Sequence, residues 1–214
     1  MAVKAVLFDF DGTLVDTVDL IMESFRYATQ HVLGRALPDE VLRENIGIPL
    51  ASQMALFDAD KAEELTRVYR AHNATVHDEL VKEYPGVNAA LAEIEQRGLP
   101  MAIITSKMHS VAMRAVDIFE MGQYFEFLIG ADDVSKHKPD PYPLLQAAER
   151  LQVAPSACVY IGDSPHDIAA ANSAGMTSIA ARWGVFSAED LHASHPDYSL
   201  DDISELPILL SQIG

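Results

Sequence analysis

The segment from residue 5 to residue 17, AVLFDFDGTLVDT, constrains the fold of this chain more than any other. Its first four residues are apolar without alternation, which is typical of a strand that is covered on both faces of a parallel sheet. The run ends on Asp9 and Asp11, two carboxylates separated by one residue. Ligands of open α/β sheets bind at the carboxyl ends of the strands, so we expect both acids at such an edge. Gly12 allows a turn with positive φ, and the Thr13 hydroxyl is expected to close that turn.

Two carboxylates so close together need a compensating charge. At a separation of about 4 Å and an effective dielectric constant of about 20, two unit charges repel each other by roughly 4 kcal/mol. A site that gathers them therefore requires a proton or a cation, and ligation by oxygen atoms alone indicates Mg²⁺. Taken alone, the Asp11-Gly12 pair also fits an ordinary polar turn after a strand, so the rest of the chain has to decide.

Strands and helices alternate along most of the remaining chain. After the first run, apolar segments predict four further strands, at 100–105, 125–129, 158–161 and 177–181. Stretches with helical spacing separate them. This alternation is typical of an α/β fold in which a Rossmann-like parallel sheet is flanked by helices.

Residues 17–83 depart from this alternation, because they predict helices without a convincing strand between them. We interpret this block as an all-helical cap inserted into the sheet domain, with hinges near Asp16 and Tyr84. The predicted domains are therefore a core of 1–16 with 84–214 and a cap of 17–83. The 214 residues of the chain are enough to build both.

Polar side chains follow two further predicted strands. Thr105, Ser106 and Lys107 come directly after the second strand, where hydroxyls and a helix amino terminus can bind an oxyanion. Asp163 and Asp167 follow the strand at 158–161, and the second acid lies near the start of a helix. Considered alone, each group also fits an ordinary helix cap with favourable placement in the helix dipole.

Lys138 precedes Pro139, whose ring keeps the residue before it out of helical geometry. We expect its ammonium to point toward the same edge of the sheet, although an isolated lysine is more often a surface residue. Together the strand ends supply carboxylates, a hydroxyl and a lysine, which are the groups that phosphoryl transfer needs. His137 and His166 are expected to be solvated loop residues, since a hard-metal site does not use imidazole.

The charge of the chain limits its partners. Its 32 acidic and 15 basic residues give a formal net charge of −17, which disfavours nucleic acid and anionic membranes. A phosphorylated partner must then be a small metabolite that local cations capture.

Cys158 lies in an apolar run and is expected to be a buried hydrophobic residue. The chain starts on a strand without a charged and apolar leader, so we expect a cytoplasmic protein, monomeric or homodimeric.

In this order the motifs resemble those of haloacid dehalogenase-like (HAD) superfamily phosphatases with a helical cap inserted after the first motif. The resemblance covers essentially the whole chain. The matching residues are Asp9-Phe10-Asp11-Gly12-Thr13 for the first motif, Thr105-Ser106 for the second, Lys138-Pro139 for the third, and Gly162-Asp163 with Asp167 for the fourth. Four ordered motifs in the right strand context are far more specific than any one short motif.

The resemblance implies a Mg²⁺-dependent reaction through an aspartyl phosphate. Asp9 would attack phosphorus, and Asp11 would protonate the leaving oxygen and then deprotonate the hydrolytic water. The implied metal-site residues are Asp9, Asp11 through its backbone carbonyl, Asp163, and Asp167, which orients a metal-bound water. The implied phosphoryl-binding and substrate-binding residues are Thr105, Ser106, Lys138, Gly12, Thr13, Gly47 and Lys107.

The cap is expected to set the substrate. Residues 45–50 resemble the substrate-facing loop of phosphoglycolate-phosphatase-like members, which places phosphoglycolate first and then pyrophosphate, sugar phosphates and nucleotides. Arg26, Arg43 and Lys107 are the cations available for a carboxylate or a second phosphate. By the same resemblance, a phosphonatase would have a lysine early in the cap, and a β-phosphoglucomutase would have a histidine shortly after the first motif. The 17–33 helix contains no lysine and residues 18–22 contain no histidine, so hydrolysis to free phosphate is the expected reaction. A different class, a non-catalytic receiver-like phosphoacceptor domain, fits less well because it would have no cap.

Overall fold

The main sheet is parallel, as the sequence predicts. A computed structural model describes residues 2–44 and 46–213. The strands in these ranges, numbered in chain order, are β1 (Ala5–Phe8), β2 (Val15–Asp16), β3 (Lys82–Glu83), β4 (Met101–Ile104), β5 (Phe127–Ile129), β6 (Cys158–Gly162), β7 (Thr177–Ala181) and β8 (Tyr198–Leu200). In this part of the chain six strands pair in parallel in the order β5-β4-β1-β6-β7-β8, while β2 and β3 form a separate antiparallel ribbon.

Helices flank the sheet and also form the insertion after β2. The α-helices within the same ranges are α1 (Val18–Leu33), α2 (Asp39–Arg43), α3 (Leu50–Phe57), α4 (Ala62–Leu80), α5 (Val87–Gln96), α6 (His109–Ile118), α7 (Tyr142–Leu151), α8 (Pro165–Ala174), α9 (Ala188–Ala193) and α10 (Leu206–Ile213). The predicted α/β fold with a helical insertion is confirmed.

The central strand β1 is covered on both faces. Val6 and Phe8 pack in a core with residues of α5, α6 and α10, whereas Ala5 and Leu7 pack in a second core with residues of α7 and α8. All four side chains are fully buried, which explains why the run is continuously apolar. Because the paired strands are parallel, their carboxyl ends meet at one edge of the sheet.

The helical insertion has a core of its own. Its buried apolar side chains come from α1 to α4 and the connection after α2, and Phe25 of α1 lies edge-on to Phe57 of α3 with ring centroids 5.3 Å apart. Strand β2 precedes the helical insertion and β3 follows it, so their ribbon pairs the two segments by which the chain enters and leaves the insertion. In this ribbon Val15 pairs with Glu83 and Asp16 with Lys82. The sequence does not reveal this ribbon, because each strand is two residues long. The domain bounds at 16/17 and 83/84 stay a prediction.

Two elements near the carboxyl terminus are also not predicted from the sequence. Strand β8 has three residues, of which Tyr198 and Ser199 are exposed, so it lacks the buried apolar run of the other strands. Helix α9 has six residues and is capped by the side chain of Ser187, which accepts from the backbone N–H of Asp190.

Cys158 is buried, as predicted. Among the described residues, none of the helices combines the length and apolarity needed to cross a bilayer.

Candidate active site

Three carboxylates meet at the carboxyl edge of the sheet. Asp9 follows β1, Asp163 follows β6, and Asp167 lies in the first turn of α8. All three are buried, and one oxygen of each lies within 4.8 Å of the others. We call these three residues the carboxylate cluster. The sequence predicted this convergence from the parallel order of the strands, and the structure brings the three residues together.

Lys138 lies inside the carboxylate cluster. Its Nζ donates to Oδ1 of Asp9 at 2.7 Å and to Oδ1 of Asp167 at 2.6 Å, and the lysine is 4% exposed. Burial favours the neutral amine, but Asp167 and Asp9 outweigh this effect and raise the pKa of Lys138. The residue is therefore a buried ammonium and not the surface lysine of the alternative interpretation.

Asp167 is held from both sides. Its Oδ1 accepts from Lys138 and, at 2.9 Å, from the hydroxyl of Tyr160 on β6. Its Oδ2 accepts from the backbone N–H of Ser164 at 3.1 Å and from the Ser164 hydroxyl. The backbone N–H of Asp167 in turn donates to Oγ of Ser164 at 3.2 Å, which completes a capping box at the start of α8. The helix-cap interpretation is thus correct for Asp167, and the same side chain lies in the carboxylate cluster. The sequence missed Tyr160 because it lies within an apolar strand.

The electrostatics of the carboxylate cluster call for a cation. Burial and the charge of Asp167 raise the pKa of Asp9 from 3.8 to about 7, although Lys138 opposes the shift. Burial and the charge of Asp9 raise the pKa of Asp163 well above its ordinary value. Three buried carboxylates beside one ammonium leave an excess of negative charge, and oxygen donors at this spacing suit a hard divalent cation. The donor set therefore fits a divalent metal site.

Gly12 allows the first motif to approach Asp163. Its φ is +79°, and a Cβ on this residue would lie 2.1 Å from Oδ2 of Asp163, so a side chain is excluded on both grounds. The same Oδ2 accepts from the backbone N–H of Val185 at 2.7 Å. The Thr13 hydroxyl, predicted to close the turn, has no hydrogen-bond partner among the described residues. The turn is closed instead by backbone bonds, including Gly12 N–H to the carbonyl of Val15 at 2.8 Å.

The carboxyl end of β4 contributes a cation and two hydroxyls. Nζ of Lys107 forms an ion pair with Oδ1 of Asp11, and both side chains are mostly buried. Thr105 is buried, and its hydroxyl accepts from the backbone N–H of Lys107 at 3.1 Å. The Ser106 hydroxyl is buried and has no partner in the described parts of the chain. Ser106 is thus not a helix cap here, because the residue preceding α6 is Met108.

A cavity of about 550 Å³ lies over these residues. The predicted site residues that line it are Asp9, Asp11, Gly47, Thr105, Ser106, Lys107 and Asp163. Gly12, Thr13, Lys138 and Asp167 are not among its described lining residues. Gly47 has a φ of +103°, and a Cβ there would lie 3.4 Å from the Ser164 hydroxyl, so the cap loop contacts the core at this point. Asn45 of the same predicted loop lies outside the described residues.

The expectation that His137 and His166 are solvated is wrong. Both are half-buried: His137 lines the cavity, and His166 lies beside the backbone of Gly47. Burial lowers the pKa of His166. Packing of the cap loop against the first turn of α8 shields this histidine in part from water, and the sequence alone does not show that contact.

The cap wall of the cavity contains polar residues that the sequence analysis missed. Tyr69, Asn73 and His77 of α4 line the cavity and are buried. We call these three residues the polar stripe of α4. Their spacing of four residues is the signal that could have found them, because it places them on one helix face. The candidate cations Arg26 and Arg43 do not contribute, since neither is among the described lining residues; Arg26 instead pairs with Asp39 on the surface.

Comparison with known proteins identifies the family of this chain. The sequence profile of the family described as haloacid dehalogenase-like hydrolase matches residues 6–181, which include the four motifs. The chain belongs to this family. The resemblance of the motifs to HAD phosphatases is confirmed, and with it the prediction of a phosphatase.

Two named relatives and one solved structure match this chain along nearly its full length. Pyrophosphatase PpaX of Bacillus velezensis is 36% identical over 204 residues, which are 95% of this chain and 94% of that protein. Pyrophosphatase PpaX of Bacillus mycoides is 35% identical over 214 residues, covering 100% of both chains. A solved haloacid dehalogenase-like hydrolase of Streptococcus pneumoniae has a TM-score of 0.86 and 28% identity, covering 99% of each chain.

Proposed function

We propose that this protein is a Mg²⁺-dependent phosphatase that hydrolyses inorganic pyrophosphate through an aspartyl phosphate. The observation that carries the proposal is the environment of Asp9 at the floor of the cavity. Its Oδ1 is held by Lys138 at 2.7 Å, while Oδ2 receives no hydrogen bond from the described residues. A carboxylate that is fixed through one oxygen and keeps the other free of hydrogen bonds, in a residue that lines the cavity, is arranged as a nucleophile.

Pyrophosphate takes precedence over phosphoglycolate for two reasons. Relatives at 35–36% identity over nearly the whole chain carry the name pyrophosphatase. The cavity also has cations beyond the carboxylate cluster, since Lys107 and Arg114 both line it. A substrate with two phosphoryl groups can place one at Asp9 and the other near these cations. The ranking from the 45–50 loop, which puts phosphoglycolate first, has weaker support.

The first chemical step forms the enzyme–phosphate bond. An Asp9 oxygen attacks phosphorus, and the bond between that phosphorus and the bridging oxygen breaks. The electron pair goes to the bridging oxygen, which takes a proton from Asp11. Asp11 must therefore hold a proton when the substrate arrives, and its ion pair with Lys107 must open. The incoming phosphate oxygens compete for the Lys107 ammonium and so favour this opening.

The second step returns the enzyme to its starting state. Asp11, now a carboxylate, takes a proton from water as that water attacks phosphorus, and the bond to Asp9 breaks. Lys138 holds Asp9 in both steps and stabilises its charge after release. Asp9, Asp163 and the backbone of Asp11 would hold Mg²⁺, which neutralises charge on the phosphoryl oxygens when bound. Thr105 and Ser106 bind those oxygens with hydroxyl and backbone donors.

The test is phosphate release from pyrophosphate, phosphoglycolate, a sugar phosphate and a nucleoside monophosphate, with Mg²⁺ or with chelator. We expect the highest kcat/KM for pyrophosphate and loss of turnover in chelator. Asp9→Asn should lower kcat by at least about 10⁴-fold while the fold stays intact, because the nucleophile is lost. The matched control is Asp19→Asn, which changes an exposed acid of α1 and should leave the rate unchanged.

Other outcomes identify other functions. A higher kcat/KM for phosphoglycolate would refute the pyrophosphate assignment and keep the phosphatase. Near-normal turnover by Asp9→Asn would refute the nucleophile. A stable phosphoprotein without release from any compound would favour a receiver-like phosphoacceptor.

A further inference from the structure

The connection between β7 and α9 reaches the active site although none of its residues belongs to the four motifs. It consists of residues 182–187 and follows the strand that pairs with β6, so it leaves the sheet beside Asp163. We call residues 182–187 the β7–α9 loop. Its three consecutive residues Trp183, Gly184 and Val185 contact three different parts of the molecule, which can be considered in turn.

Trp183 ties the β7–α9 loop to the first motif. Its ring packs against the core cluster that also contains Val6 and Phe8 of β1. Its Nε1–H donates to the backbone carbonyl of Thr13, in the turn after Asp11, at 3.0 Å. A packed indole whose N–H is also bonded has its orientation fixed, so this end of the loop is held against the first motif.

The middle of the β7–α9 loop lies directly against Asp163. The backbone N–H of Val185 donates to Oδ2 of Asp163 at 2.7 Å. A Cβ on Gly184 would lie 2.2 Å from the Cβ of Asp163, so only glycine lets the backbone come this close. Oδ1 of Asp163 receives no hydrogen bond from the described residues, which leaves it available to a cation. The loop therefore fixes the orientation of this carboxylate.

The side chain of Val185 ties the same loop to the cap. It packs against the apolar core of the helical insertion, whose buried members include Phe25 and Met54. Because its backbone N–H holds Asp163, this one residue contacts both the cap and the carboxylate cluster. A displacement of the cap that moves this side chain also moves the hydrogen-bond donor of Asp163.

We infer that the β7–α9 loop couples the position of the cap to the affinity of the carboxylate cluster for a divalent cation. This inference rests on the metal site of the proposed function. A carboxylate that binds a metal is kept in orientation by hydrogen bonds to its other oxygen, and losing them weakens metal binding. Val185 supplies this bond when the cap is seated against it. By linkage, the bound cation then favours the seated cap to the same extent.

Two valine substitutions isolate the coupling. Val185→Ala shortens the side chain that contacts the cap and keeps the backbone N–H that bonds to Asp163. Val68→Ala is the matched control, because Val68 of α4 packs against the same cap core and is half-buried like Val185, but does not line the cavity. Each change removes apolar volume, so both should lower the thermal midpoint in chelator.

The readout is the Kd for Mg²⁺, measured by calorimetry on the metal-free protein without substrate. Val185→Ala should raise this Kd by about 3- to 10-fold, because the donor of Asp163 is less firmly held. Val68→Ala should leave it within about 2-fold of the wild type, since the contact of Val185 with the cap is kept.

Two further variants test the loop without changing the cap. Trp183→Phe keeps the ring and removes the N–H that bonds to Thr13, so the Kd for Mg²⁺ should rise by about 3- to 10-fold. Gly184→Ala places a methyl group against Asp163 and should raise the Kd by at least about 10-fold. Its control is Gly122→Ala, where the nearest atom to a new Cβ is Cγ1 of Val116 at 3.6 Å. This control should leave the Kd unchanged.

Each contrary outcome has its own meaning. If Val185→Ala binds Mg²⁺ as tightly as the wild type, the coupling is overturned and the proposed function stands. An equal rise in Kd for Val185→Ala and Val68→Ala would assign the effect to cap packing in general and overturn the role of the loop. An unchanged Kd in both Trp183→Phe and Gly184→Ala would overturn the positioning of Asp163 by the loop. If the wild type binds no Mg²⁺, the metal site of the proposed function is overturned first and this inference with it.

Discussion

The carboxylate cluster and the polar stripe of α4 face the same cavity but satisfy their polar atoms in different ways. In the cluster, Lys138 donates to both Asp9 and Asp167, and Asp167 accepts further bonds from Tyr160 and Ser164. In the stripe, Nε2 of His77 has no partner among the described residues. Folding therefore pairs Lys138 with the carboxylates of the first region, whereas it leaves a buried ring nitrogen of the second unpaired.

This difference separates two kinds of mutational effect. Changes in the carboxylate cluster should alter the free energy of unfolding together with turnover, because its hydrogen bonds are part of the folded state. Loss of Nε2 of His77 should cost little stability, because no hydrogen bond is lost with it. The following predictions test the carboxylate cluster.

The largest effect is expected for Lys138→Met. The substitution keeps the apolar stem but removes the buried ammonium, so the carboxylates of Asp9 and Asp167 lose a shared donor. We expect a loss of about 3–5 kcal/mol in unfolding free energy and at least about 10³-fold in kcat. Urea unfolding and phosphate release in Mg²⁺ measure the two effects. Lys136→Met is the control, since Lys136 is exposed and pairs with Asp140 on the surface.

Loss of turnover by Lys138→Met with unchanged stability would break the comparison. It would mean that the ammonium serves the reaction without supporting the folded state. The control should change the unfolding free energy by at most about 1 kcal/mol, as expected for an exposed ion pair.

The second largest effect, of a few kcal/mol in unfolding free energy, is the dependence of stability on pH and on Mg²⁺. The pKa of Asp9 lies at about 7 in the metal-free fold and at 3.8 ordinarily, so the folded state binds more protons between these values. Metal-free stability should therefore fall as the pH rises through this interval. Mg²⁺ requires ionised carboxylates, so its stabilisation should grow over the same interval.

Thermal unfolding at pH 5 and pH 8, with Mg²⁺ or chelator, measures this dependence. We expect the Mg²⁺-induced rise in Tm to be clearly larger at the higher pH. Asp9→Asn should lose much of the difference, because the amide does not titrate. An equal rise at both values in the wild type would show that the cluster is already ionised without metal.

The smallest effect is expected for Tyr160→Phe. This change removes one of several hydrogen bonds to Asp167 and leaves Lys138 and Ser164 in place. We expect a loss of about 1 kcal/mol in stability and less than about 10-fold in kcat. Tyr142→Phe, at an exposed tyrosine of α7, is the matched control and should be neutral. A loss as large as that of Lys138→Met would show that the hydroxyl is essential for holding the ammonium.

The strand-end residues could be predicted because two rules act together. Apolar runs mark buried strands, and parallel order brings their carboxyl ends to one edge, so Asp9 and Asp163 converge without knowledge of the loops. Tyr160 escaped because an aromatic residue in an apolar strand looks like core. His77 escaped because a helical pattern fixes which residues share a face but not which neighbour that face meets.

The central place of β1 has a consequence for how the molecule is made. Val6 pairs with Met101 and Ala5 pairs with Cys158, so both neighbours of this strand are synthesised long after it. Pairing across such long sequence separations slows folding, and an apolar strand waiting for its partners is prone to aggregate. During synthesis the amino-terminal strand stays unpaired until β4 and then β6 have emerged. Asp9 therefore reaches its place late, and a chain cut short before β6 lacks Asp163 and Asp167, the other two carboxylates of the cluster.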